Sequence, residues 1–167
     1  MSNTFVAVLM GSDSDLPIMQ STLDILKMLG VKYEVKVTSA HRTPVRTKEY
    51  VNDASARGCE IFIAAAGLAA HLAGAVAGMT TKPVIGVPID AGPLQGMDAL
   101  LSTAQMPGGV PVACVAIGKA GAKNAAYLAA QMLAISDKDL AKRVADERAA
   151  NALAIEKKDA ELQTKLG

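Results

Sequence analysis

The chain has 167 residues, with 17 basic against 16 acidic side chains and a formal net charge of +1. It is long enough for one domain with a real core, spanning 1–167, and too short for two comfortable ones. No basic tract exceeds a pair, which argues against a nucleic-acid surface built on bulk electrostatics.

Asn3-Thr4 precedes the first apolar run without a basic head, and Gly, Pro, Thr or charge interrupts every later apolar stretch. This points to the cytoplasm and excludes a membrane span. Phe5 to Met10 predicts a strand closed by Gly11-Ser12-Asp13-Ser14-Asp15, and Leu16, Met19, Leu23 and Leu26 then recur at helical spacing until Gly30. Tyr33 to Val37 is the second strand. After Ser39-Ala40-His41-Arg42, Thr43 is an N-cap and Pro44 the first position of a helix to about Arg57. Ile61 to Ala66 is a third strand, fully apolar, as expected when both faces are covered. A small-residue segment around His71-Leu72 then opens a helix ending near Gly78. Val84 to Val87 is the fourth strand, Asp98 to Ala104 a helix, Val112 to Ile117 the fifth strand and Ala120 to Ile135 an Ala-dense helix. Ser136 and Asp139 have capping-box spacing for a last helix over 137–163, whose Leu140, Val144, Ile155 and Leu162 leave an interrupted apolar stripe.

Strands alternating with helices predict a three-layer α/β/α sandwich on a five-stranded parallel sheet, plus a C-terminal helix. Its ligand site belongs at the carboxyl edge, where the strand order reverses. The hydrophobic fraction of 51% includes 31 alanines, and the only aromatics are Phe5, Tyr33, Tyr50, Phe62 and Tyr127. Close helix packing or an oligomer must therefore compensate for the small area buried per residue. Cys59 and Cys114 have neither metal-ligand spacing nor a secreted scaffold's density and read as buried reduced thiols.

The distinctive polar residues fall in the loops after the strands. Ser12 and its neighbours can cap the helix or present donors to an anion, and Asp15 suits sugar hydroxyls better than phosphate. Arg42 offers a forked donor for phosphate or a surface ion pair, and His41 exchanges a proton near neutral pH. His71 lies at another strand-to-helix junction. Ala64 to Ala70, with Gly67, makes either a dry wall that a flat ligand can approach or tight strand-to-helix packing. Gln95, Met97, Gln105-Met106-Pro107 and Gly108-Gly109 are candidates for the rim.

Met10-Gly11-Ser12-x-Ser14-Asp15, Ser39-Ala40-His41-Arg42-Thr43-Pro44, Ala69-Ala70-His71-Leu72, Gly86-Val87-Pro88, Gln105-Met106-Pro107-x-Gly109 and Ala116-Ile117-Gly118 occur in order. Over about residues 5 to 135 they resemble the N5-carboxyaminoimidazole ribonucleotide mutases, the bacterial-type enzymes of purine synthesis. The resemblance implies a flavodoxin-like sandwich, a homo-octamer and no metal or organic cofactor. The implied substrate is a small phosphoribosyl aminoimidazole, whose N5-carbamate becomes the C4-carboxylate. Position by position, Ser12 and Arg42 match residues that hold the 5'-phosphate, Asp15 one that contacts the ribose, and Ser39 and Ala40 the adjoining binding turn. His41 matches the catalytic histidine, and His71 a second histidine lining the carbon dioxide pocket. The family commonly has two adjacent glycines, and a proline after the His-Leu pair, where this chain has Gly67-Leu68 and Ala73. Leu68 thus adds bulk near the pocket, and Ile89-Asp90-Ala91-Gly92-Pro93-Leu94 lacks the usual serine. The final helix is too polar for a conventional core element and lies across the body, on a neighbouring subunit or in solvent; the implied octamer favours the neighbouring subunit. The rival readings are a carboxylase using carbon dioxide and aminoimidazole ribonucleotide directly, disfavoured by the two histidine motifs, and a noncatalytic nucleotide-sensing module.

Overall fold

Short, mostly unbroken apolar runs build five strands among the described residues: β1 (Phe5–Met10), β2 (Tyr33–Val37), β3 (Cys59–Gly67), β4 (Val84–Ile89) and β5 (Ala113–Cys114). The computed structural model describes residues 4–167, so Asn3 lies outside the described residues. All four strand pairings are parallel, in the order β2-β1-β3-β4-β5. This is the doubly wound, flavodoxin-like order, and it reverses between β1 and β3. Val6, Val8 and Met10 with Ile61, Ile63 and Ala65 enter one core, and Phe5, Ala7 and Leu9 with Phe62 and Ala64 enter the other. A strand buried on both faces has no use for polar alternation, which explains the unbroken apolar runs.

Among the described residues six α-helices complete the fold: α1 (Leu16–Met28), α2 (Pro44–Arg57), α3 (Leu72–Ala77), α4 (Met97–Ala104), α5 (Gly118–Ala134) and α6 (Lys138–Leu166). Helices α1 and α5 cover one face and α2 and α3 the other. Ala122, Ala125, Ala126, Ala129 and Ala130 are buried along one side of α5. Their small size lets α5 approach α1 closely enough for Thr22 Oγ1 to donate to the Ala122 carbonyl at 2.7 Å. The alanine excess is thus a packing device that trades side-chain volume for close backbone approach.

Three expectations need correction. The fifth strand pairs only through Ala113 and Cys114, not from Val112 to Ile117. Pro88 in β4 has no N–H to continue the ladder, so the segment leaves the sheet soon after Val115 donates to the Gly86 carbonyl at 3.0 Å. The cap of α6 is Asp137, whose carboxylate accepts from Leu140 N at 2.9 Å. The Ser136 hydroxyl instead turns back to the Leu133 carbonyl at 3.4 Å, at the end of α5. Thr43 stands at the N-cap of α2, but its hydroxyl makes no cap bond there. Among the described residues no helix is long and apolar enough to cross a membrane. Cys59 is fully buried and burial pushes its thiol up to about 11; Cys114 is half-buried, with its thiol also raised by burial. Neither favours the reactive thiolate.

Candidate active site

The loops following β1, β2, β3 and β4 meet at the carboxyl edge around a cleft of about 450 Å³. The candidate catalytic and substrate-binding residues named from sequence line it: Ser12, Asp15, Ser39, Ala40, His41, Arg42, Gly67 and His71. The β1 loop tightens into a single 3-10 turn, Asp13–Asp15, before α1. Ser12 caps that turn: its hydroxyl accepts from Ser14 N at 3.3 Å, and the Asp15 carboxylate accepts from Ser12 N at 3.1 Å. Capping and a place in the cleft therefore coincide in one residue. Asp15 is 7% exposed. Burial raises its carboxyl above the ordinary value and the nearby Asp13 charge adds to this, while the Ser12 and Gly11 N–H groups pull it back.

The β2 loop is a turn braced by hydroxyls. Thr43 N donates to the Ser39 carbonyl at 2.9 Å, Ser39 N to Thr43 Oγ1 at 3.0 Å and Arg42 N to Ser39 Oγ at 3.1 Å. Beneath it, the buried Thr38 and Thr47 share a hydroxyl bond of 2.7 Å. This explains why Thr43 abandons its helix-capping bond: the hydroxyl is spent holding the turn that displays His41 and Arg42. Arg42 Nη2 reaches across to donate to the Gly11 carbonyl at 3.2 Å. Among the described residues it forms no ion pair, against the surface-pair reading. The positioning threonines Thr38 and Thr47 were missed from sequence, although their spacing with Thr43 places all three at one turn and the first helical turn after it.

His71 stands at the N-cap of α3, and its ring stacks on that of His41, with centroids 5.9 Å apart and planes 20° from parallel. Gly67 is needed for close approach: a Cβ there would lie 2.9 Å from the Ala91 Cβ. It therefore serves strand packing and the cleft wall together. The proposed rim residues Gln95, Met97, Gln105, Met106, Pro107, Gly108 and Gly109 are not among those lining the cleft of this chain; Leu68 and Ala91 hold that side. Met106 instead packs toward α3, its sulfur 3.1 Å from the Cβ position of Gly74. Among the described residues no three His, Cys, Asp or Glu side chains converge as a metal-ligand set.

A doubly wound domain with a guanidinium, a buried carboxylate and a histidine pair at its switch point is a flavodoxin-like fold equipped for proton transfer on a small anionic ligand. The chain belongs to the AIR carboxylase family, whose model matches residues 5–153. The N5-carboxyaminoimidazole ribonucleotide mutase of Bacillus subtilis is 56% identical over 146 residues, covering 87% of this chain and 90% of that protein. Its counterpart from Thermotoga maritima is 53% identical over 139 residues, covering 83% and 80%. The crystal structure of Treponema denticola PurE superposes with a TM-score of 0.86 at 31% identity, covering 95% of this chain and 98% of that one.

Proposed function

We propose that this protein is a single-domain mutase of purine biosynthesis that converts N5-carboxyaminoimidazole ribonucleotide into 4-carboxy-5-aminoimidazole ribonucleotide. The observation that carries the reading is the stacked His41–His71 pair in the same cleft as Arg42, Ser12 and Asp15. Arg42 and Ser12 hold the 5'-phosphate, Asp15 accepts from the ribose hydroxyls, and the Ser39-Ala40 turn and Gly67 let the flat imidazole lie against backbone. The N5–carboxyl bond breaks with its electron pair left on nitrogen, which takes up a proton, and carbon dioxide is released inside the cleft. C4 then attacks the carbon dioxide, and His41 removes the C4 proton to restore aromaticity, with His71 beside the trapped carbon dioxide. In net, one carboxylate moves from nitrogen to carbon and one proton moves the other way. No step is routed through a metal or organic cofactor.

The working form we propose is a cytoplasmic homo-octamer in which α6 packs on a neighbouring subunit. The family's description as AIR carboxylase keeps direct carboxylation of aminoimidazole ribonucleotide as a second reading. Assay of the purified protein on both substrates at low bicarbonate separates the two. The mutase converts the N5-carbamate there and leaves the unmodified nucleotide almost untouched. Activity confined to the unmodified nucleotide would overturn the mutase.

A further inference from the structure

Leu68 has a left-handed backbone, with φ +56, a conformation that costs residues with a Cβ and is usually left to glycine. It is also half-exposed, at 52%, so core burial does not account for the strain. Its side chain is seated on the loop after β4: a Cβ on Gly92, itself at φ +74, would fall 2.4 Å from Leu68 Cδ2. That seat is braced from behind. A Cβ on Gly96 would meet Ile117 Cγ2 at 2.6 Å, and one on Gly118 would meet Asp90 Oδ1 at 3.1 Å, so the start of α5 backs the loop closely. On its other flank Leu68 lines the cleft, and its carbonyl accepts from Ala70 N at 2.8 Å, one residue before His71.

Strain kept at an exposed apolar residue that touches both a braced loop and the site points to use of the side chain itself. We propose that Leu68 is a positioning residue: it ties the His71 loop to the Gly92 loop and forms an apolar wall that keeps released carbon dioxide beside C4 until it is recaptured. This rests on the mutase reading above. Carbon dioxide is small and uncharged, so only shape and the exclusion of water can hold it, and a leucine supplies both.

The test is single-turnover conversion of the N5-carbamate, carrying a ¹³C carboxyl group, in excess unlabelled bicarbonate, with the label in the product read by mass spectrometry. The native protein retains the label. In Leu68→Gly, which relieves the backbone strain, washout rises by roughly tenfold while affinity for the ribonucleotide stays within about twofold. Leu68→Ala, which keeps the Cβ, gives an intermediate washout, and Leu68→Met restores retention. Gly92→Ala reproduces the leak with Leu68 still present, because the added methyl unseats it. Label retention in Leu68→Gly equal to that of the native protein overturns the proposal. Failure of the native protein to convert the carbamate at all overturns the mutase reading and this proposal with it.

Discussion

His41 and Arg42 are neighbours with separable duties, and their variants should separate them. Asn in place of His41 keeps a hydrogen-bonding side chain but cannot carry the C4 proton, so turnover falls by about 10²–10⁴-fold with little change in KM. Unchanged kcat would remove the proton-transfer role. Arg42→Ala weakens a phosphate-bearing ligand by roughly 10- to 100-fold, the range for a charged hydrogen bond. Calorimetry with a dephosphorylated analogue is the control, since equal weakening toward both ligands would reject the phosphate assignment. Asp15 gives a prediction in stability. Its carboxyl is raised by burial, so the folded state holds the proton more tightly than the unfolded chain, and stability is lost as pH rises from the ordinary carboxylate value through the raised one. Asp15→Asn therefore has a higher Tm than the native protein at pH 7, the two converging below about pH 4, together with weaker ribonucleotide binding. A lower Tm at neutral pH would reject the burial account. These polar residues were legible in the sequence because histidine and arginine at loop positions have few other uses. The grip of Leu68 on Gly92 was not, because it is a contact across two loops that only the folded sheet edge brings together. The Thr38–Thr47 bond was missed although it is local to one turn, because threonine hydroxyls there read equally well as helix caps.

Element boundaries were legible wherever one local rule governed them. Pro44 opens α2, and Gly58, left-handed at φ 107, closes it, as helix chemistry dictates. Where two local candidates competed, tertiary geometry chose. At the start of α6 both Ser136 and Asp137 are good capping types, but only the Asp137 carboxylate reaches Leu140 N, while Ser136 is committed to the last turn of α5. Asp137→Ala should therefore lower stability by about 1 kcal/mol, and Ser136→Ala by no more than a few tenths. Urea unfolding monitored by circular dichroism measures both, and a larger loss from Ser136→Ala would reinstate the cap expected from sequence. The shortened β5 teaches the same lesson. Val112 to Ile117 has strand composition throughout, but a ladder needs a donor on the neighbouring strand, and Pro88 of β4 lacks one.

At the scale of the molecule, α6 is the element whose own chain does not account for it. Its 29 residues reach about 44 Å at the helical rise, yet Leu140 alone is buried. Beyond Arg148 every residue is exposed. Ile155, Leu162 and Leu166, 64%, 51% and 74% exposed, continue at helical spacing the stripe that Leu140 and Val144 press onto the body. A long polar helix without tertiary packing is marginal in water, so the stripe needs a surface to cover it. The family match ends at residue 153, leaving all three of those side chains in a segment the family model does not cover. In the octamer proposed above, that surface is a neighbouring subunit. Carboxylates at Ile155 and Leu162 would then carry buried charge into the contact. The double variant Ile155→Asp, Leu162→Asp should run as species smaller than the octamer in sedimentation velocity at micromolar concentration. Its thermal transition should remain cooperative, because neither side chain touches the core of its own domain. An octamer that survives both substitutions would show that α6 does not hold the assembly, and would return the stripe to solvent.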